Sequence, residues 1–493
     1  MKKKLTITLL ALICVLTCTL SLAACGGGGN DDDKNQPQSF YTYELASDGQ
    51  SYEISRWRGT ATEVTLPSEH EGKPVTTIQG INAVDRSVRE NLQSVTIPNS
   101  FTKISGGTFS DCTALKDVSI PASVKTIGGM AFDDCTSLET VTIAEGLTTI
   151  EQFAFRGCSS LKSMVIPDSV TQISWGILHN CTSLESLTLP FASVVQGSIL
   201  SLFRYNSNDV PSSLRRVEIT NTETIDAGAF DRCNHIASLV LPQNLVTIHK
   251  DALKGCTRLV EIYNLSEVNI GKSGEEGCDL NTNAFVIHES LTEKSNVQIA
   301  DGDFVFYVGN DKTLLTDYTG NYADVILPNG IDGKDYTVND RAFENCETIT
   351  NLTVPNGVKR INIRSFADCT ALKKVIVADG TERIEPYAFA NCTALETVVF
   401  GNGMQDLFGA VFDGCTALKS VVLGSGIETI WEEALSGCSS LDAIYYKGTA
   451  EDWDNIDIQA GNESLADKIY FYNESSTANG WHFAADGVTP VKW

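Results

Sequence analysis

Histidine, positive charge and long apolar runs are all scarce in this 493-residue chain. The six histidines (His70, His179, His235, His249, His288 and His482) are scattered. His288-Glu289 is not followed by a second histidine at the spacing of a zinc-binding helix. No Gly-x-Ser-x-Gly elbow is present to raise a nucleophilic serine. Gly271-Lys272-Ser273 looks like the end of a phosphate loop, but Ser266 stands where that loop requires glycine. Asp301-Gly302-Asp303 and the acidic run from Asp452 to Asp457 lack the ligand spacing of a calcium loop and read as solvated surface. No nucleophile, base or metal set can be assembled. The expectation is therefore a non-enzyme with no cofactor and no metal.

Lysine and arginine number 36 against 62 acidic residues, a formal net charge of −26. Removing Lys2, Lys3 and Lys4 with a leader makes it −29. Such a surface repels nucleic acid and anionic lipid, so neither is expected as a direct partner. Apolar residues are concentrated once, from Leu5 to Leu20, behind those three lysines and ahead of Leu22-Ala23-Ala24-Cys25. This order reads as a secretory leader over residues 1–24. Its end looks like a bacterial lipobox, which implies cleavage before Cys25 and a lipid on that sulfur. A plain transmembrane anchor is the blander reading, because the apolar run is nearly long enough to span. Residues 25–39, with four glycines and Asp31 to Asp33, read as a flexible tether.

What is present is a period. Cys112, Cys135, Cys158 and Cys181 are spaced by 23, as are Cys233 and Cys256, and as are Cys346, Cys369, Cys392, Cys415 and Cys438. One clean unit runs from Ile127 to Thr149 through Ala131-Phe132, Cys135, Leu138, Val141, Ile143 and Leu147. A fixed period of this size means a solenoid, in which each copy is too small to bury its apolar face alone and must stack. Leu138-x-x-Val141-x-Ile143 reads as a short strand, and its equivalents at Leu115, Leu161 and Leu395 predict one parallel sheet along the molecule. Stacked copies hold equivalent Cβ atoms about 4.8 Å apart, farther than the ~3.8 Å of a disulfide. The cysteines are expected as a file of buried free thiols acting as small apolar residues.

Ala-Phe-x-x-Cys-x-x-Leu-x-x-Val-x-Ile-Pro, found as Thr108-Phe109 to Pro121 and as Ala342-Phe343 to Pro355, resembles the motif of the BspA-like, treponemal-type leucine-rich repeat family. The resemblance implies a leucine-rich-repeat right-handed coil. It also implies an exported bacterial surface protein, held at the outer face of the cytoplasmic membrane, that binds other proteins as an adhesin does.

Residues 51–78 match 312–339 without a gap at Gly59/Gly320, Val64/Val325, Leu66/Leu327, Pro67/Pro328, Gly72/Gly333, Lys73/Lys334 and Thr76/Thr337. The array therefore begins twice: an opening module and repeats over 40–300, and a second module and repeats over 301–446. The first full copy is degenerate around Asp85 to Glu90, and extra residues near Arg204 to Ser212 predict a protruding loop. At the junction Ala284-Phe285 and Leu291 keep the frame, placing His288 at the cysteine position as a core substitution. After Tyr446 the period stops. Residues 447–493 are expected to cap the last turn with aromatics, through a strand Ile469 to Tyr472 and a hairpin-like end from Trp481.

Two surface columns stand out. Four residues after each cysteine the charges alternate, Lys116, Glu139, Lys162 and Glu185 and then Lys373, Glu396, Lys419 and Asp442, with Arg215 in the insertion copy. Alternation sets opposite charges against each other on neighbouring strands, a register lock contributing ~0.2 to 1 kcal/mol per pair. Seven residues after each cysteine the second half carries Ile376, Val399, Val422 and Tyr445 where the first half has Ser119, Thr142, Val165 and Thr188. Facing outward, that column makes an apolar stripe for a protein partner, or else a seat for a covering loop. The favoured function is a lipid-anchored surface protein binding a protein partner, such as a host matrix or cell-surface component, through the sheet. Rival readings are a glycan binder using Trp453, Trp481 and Trp493, and a structural envelope spacer.

Overall fold

A computed structural model describes residues 40–203, 210–270, 284, 286–476 and 478–493. The leader, Cys25, the tether, Arg204 and the Gly271-Lys272-Ser273 segment lie outside the described residues. Each 23-residue period is one turn of a parallel β-solenoid. Asp117–Ile120 pairs in parallel with Thr140–Ile143, Val118 opposite Val141, so that one turn lies over the next without slippage. The same offset joins Lys374–Val377, Thr397–Phe400, Ser420–Leu423 and Ala443–Tyr446. A second, shorter strand in each turn, Thr126–Ile127, Thr149–Ile150 and Gln172–Ile173, pairs in the same way.

The period persists because like residues stack. Phe109, Phe132 and Phe155 form a file with rings 5.2 Å apart and within 10° of parallel, close to the strand spacing. Phe343, Phe366, Phe389 and Phe412 repeat it in the second half. The cysteines run beside these rings, and all eleven described ones are free. They do more than fill space. The Cys135 thiol donates to the Phe109 carbonyl at 3.1 Å, Cys158 to Phe132 at 3.2 Å and Cys392 to Phe366 at 3.2 Å, stitching each turn to the one before. Burial pushes the Cys112, Cys181 and Cys438 thiols up to about 12. Cys392 is raised too, chiefly by hydrogen bonding with its neighbours Cys369 and Cys415. The residue before most of these cysteines turns the corner with positive φ, as at Asp111, Asp134, Asn180, Asn345, Asp368 and Asn391. Asn and Asp tolerate that left-handed conformation better than other side-chain-bearing residues.

Strands Tyr52–Trp57 and Glu63–Thr65 recur as Thr313–Tyr318 and Asp324–Ile326, at an offset of 261. In both places an antiparallel hairpin, Tyr41–Leu45 with Tyr52–Trp57 or Phe304–Val308 with Thr313–Tyr318, leads into a parallel strand. One apolar core runs from Ile54 to Ile270 and a second from Phe304 to Leu465. The degenerate first copy holds a short helix, Arg86–Asn91. The end of the chain forms strand Ile469–Tyr472 and the hairpin Gly480–Phe483 with Pro490–Lys492.

The junction frame is a correction. Glu261–Asn264 pairs with Val286–His288 at Glu261↔Val286 and Tyr263↔His288, an offset of 25 rather than 23. His288 thus stands on the strand's outer face, not at the cysteine position. Leu291 is exposed, and Phe285 lies outside the described residues.

Candidate functional site

Strand alternation sends every second side chain out of the core, and the fate of that outer face differs along the chain. Towards the end of the second half it is covered, although Ile326 on that half's first strand is 70% exposed. Val399, Val422 and Tyr445 are 6%, 0% and 6% exposed, packed beneath Trp481, Tyr470, Phe483 and Val488, while Ile376 is half-buried. The expected apolar stripe is therefore the seat of the chain's own terminal hairpin. Val399, Val422 and Tyr445 are thus not free for a partner in this fold, while Ile376 lies outside the covered cluster. The Trp481 indole N–H donates to the Tyr446 carbonyl at 3.0 Å, and Lys492 reaches Tyr470 Oη at 2.9 Å. Trp453 is buried edge-on against Tyr446, so it and Trp481 offer no sugar platform. Trp493 is 45% exposed.

The far end of the first half is covered as well. Ala237 and Val260, four residues after their cysteines, break the charged column and pack against Val305, Tyr307 and Leu314 of the second opening hairpin. A polar network closes beside them. Glu261, fully buried, accepts from Ser238 Oγ, Ser295 Oγ and the Asn296 amide, each at 2.9 Å, and lies 3.3 Å from His288 Nε2. On the neighbouring side buried Asp317 meets Arg258 Nη1 at 2.5 Å and His235 Nδ1 at 2.9 Å. Arg258 also donates to the Arg341 carbonyl at 3.2 Å. Arg215, whose side chain donates to Thr319, is buried nearby, and desolvation lowers its pKa. A cleft of about 430 Å3 lies alongside, lined by His235, Arg258, Arg341, Glu344 and Cys346 among others.

The outer face stays open from Glu63–Thr65 through Ser94–Thr96, Asp117–Ile120 and Thr140–Ile143 to Ser163–Val165, and is half-buried at Ser186–Leu189. Its outward residues Thr65, Thr96, Ser119 and Thr142 are exposed, and Val165 is 55% exposed. A hollow of about 480 Å3 lies over the strands at 94–97, 117–119 and 140–142.

The charge ladder is in backbone register. The amides of Glu139, Glu185, Glu396, Lys419 and Asp442 donate to the carbonyls of Lys116, Lys162, Lys373, Glu396 and Lys419 at 2.8–2.9 Å. All eight side chains are exposed. Lys419 Nζ meets Glu396 at 3.1 Å, whereas Asp442 faces Lys492 of the cap at 3.6 Å. Among the described residues Lys116, Glu139, Lys162, Glu185 and Lys373 are in no ion pair. Among the described residues no group of three or more His, Cys, Asp or Glu is placed to hold a metal, and no helix is long and apolar enough to cross a membrane.

The family model for the BspA type leucine rich repeat region matches six copies, over residues 87–208, 210–296 and 336–459. The chain belongs to the BspA-type leucine-rich repeat family. Among solved structures it is similar to a leucine rich cell surface protein from Faecalibacterium prausnitzii, with 24% identity over 87% of this chain and 99% of that one and a TM-score of 0.31. The leucine-rich repeat protein of T. pallidum is 28% identical over 46% of this chain and 91% of its own, with a TM-score of 0.31. The pneumococcal vaccine antigen PcpA is 14% identical over 88% and 98%, with a TM-score of 0.30. No curated protein matches the sequence.

Proposed function

We propose that this BspA-type chain is a bacterial surface protein, anchored by lipid at Cys25 to the outer face of the cytoplasmic membrane. It holds a protein partner, such as a host matrix or cell-surface component, on the open sheet face of the first array, and it performs no catalysis. One observation carries the choice of face. Strands 63–65 to 163–165 leave their outer side uncovered, whereas Val399, Val422 and Tyr445 of the second array's apolar stripe are covered by the terminal hairpin. The family supports a binding role, and the F. prausnitzii relative is described as a cell surface protein. Formal charge of −26 favours a partner with a neutral or basic surface.

The test is adhesion of cells displaying the full chain to immobilised matrix proteins. Thr142→Lys, on the open face, should abolish adhesion, and Thr353→Lys, on the second array, should leave it intact. Loss in the second variant alone would move the site. A chain that retains no matrix or surface protein under any condition is a spacer. Cys25→Ala should release the protein from the membrane fraction.

A further inference from the structure

The hollow on the open face has an unusual chemical lining. Ser94, Thr96, Ser119, Thr140 and Thr142 point hydroxyls into it from three consecutive turns. Asn99 adds an amide and Asp117 a carboxylate. None of these side chains has a hydrogen-bond partner within the protein among the described residues, so all are uncommitted. On the outer faces of other sheets some polar groups do pair: Ser238 donates to Glu261 at 2.9 Å, Asn351 to Asp324 at 2.6 Å, and Thr397 lies 3.2 Å from Ser420.

We infer that the hollow is a saccharide site, taking a neutral carbohydrate carried by the partner. The inference rests on the reading that this face is the recognition surface. Hydroxyls donate and accept at once, and an amide beside a carboxylate offers further donors and acceptors for a ligand's neighbouring hydroxyls. A ligand that covers so many polar groups must return a hydrogen bond for each, or leave desolvated groups unpaired. Carbohydrate hydroxyls meet that demand with the density required. The lining contains no Lys or Arg, and Asp117 repels anions, so phosphorylated, sulfated and acidic sugars are disfavoured. It also lacks Trp, Tyr and Arg, the residues that anchor protein hot spots. Stacked turns repeat the lining every ~4.8 Å, which suits a chain of several sugar units lying across the strands.

The test uses the full chain in detergent against an array of neutral oligosaccharides built from mannose, galactose, glucose and N-acetylglucosamine, followed by titration calorimetry on any that bind. Thr96→Val combined with Thr142→Val removes two hydroxyls while keeping shape and strand propensity. Ser119→Ala is a second variant that leaves the strand face unstrained, and Thr353→Val is the control on the other array. Binding of a neutral oligosaccharide that falls about 10-fold in the double variant, about 3-fold in Ser119→Ala and not at all in the control supports the site. Binding indifferent to these changes overturns it. So does failure of every neutral oligosaccharide at millimolar concentration, and if Thr142→Lys still abolishes matrix adhesion then the face stands and the sugar does not. If neither sugar nor protein binding responds to the face, both readings fall.

Discussion

Trp481→Ala should undock the terminal hairpin and bare the stripe at Val399, Val422 and Tyr445. Trp481 is fully buried and its indole N–H donates to the Tyr446 carbonyl at 3.0 Å. Truncating a buried Trp costs about 3 to 5 kcal/mol, and the lost hydrogen bond adds about 1. Together that is about 4 to 6 kcal/mol, a large fraction of the ~5 to 15 kcal/mol that holds a typical domain. A solenoid transmits such a loss only to near neighbours. The second array should therefore weaken while the first keeps its own transition. Hydrogen exchange read by mass spectrometry is the assay. Peptides over 469–493 should lose protection and those over 117–189 should not. If the hairpin keeps its protection and the unfolding free energy changes by less than about 0.5 kcal/mol, the cap is held by something other than this ring.

At the junction, Asp317→Asn leaves Arg258 and Arg215 buried without their carboxylate. It should cost about 3 to 5 kcal/mol in denaturant titrations, with Arg258→Met combined with Asp317→Leu recovering most of it. Equal losses in the single and double variants would show that the charges do not act together. Glu396→Lys sets like charges beside Lys419, and because both side chains are well exposed it should lower stability by no more than about 1 kcal/mol. Adding Lys373→Glu and Lys419→Glu should restore the melting temperature; no recovery would defeat the register-lock idea. Asp486, in the turn of the terminal hairpin, is held down from 3.8 to about 2 by hydrogen bonds from Thr489 and Val488. A lowered folded-state pKa stabilises above the unfolded value, so this turn's contribution is complete above about pH 4 and fades as pH falls towards 2. Asp486→Ala should remove that part of the acid dependence of hairpin exchange protection.

The stacking was legible in the sequence because a file of identical residues repeats at one interval, and neither Phe132 nor Cys135 can leave its file without opening the core. The recurrence of strands 52–57 and 63–65 as 313–318 and 324–326 was legible for the same reason, since Gly72/Gly333 and Leu66/Leu327 recur at the same offset. What covers the outer face was not. Covering segments do not repeat, so no period announces them. Their signal lies in the columns they touch: Ala237 and Val260 interrupt the alternating charges where the second hairpin lands, as Val422 and Tyr445 mark the landing of Trp481. Read that way, an apolar residue in an otherwise polar column signals contact within the chain before it signals a partner. His288 escaped because Ala284-Phe285 was taken to set the frame, whereas the strand pairing puts His288 opposite Tyr263, seven residues after Cys256 and therefore on the outward side.

The claim that one array presents its sheet while the other hides it is tested most directly by cysteine labelling at pH 7. Among the described residues the native thiols are buried in their file, apart from half-buried Cys346. With the wild-type chain as baseline, Thr142→Cys should react with a soluble maleimide in the folded protein, and bound partner should slow it. Val422→Cys should react only after denaturation. Equal, rapid labelling at both positions would contradict the account.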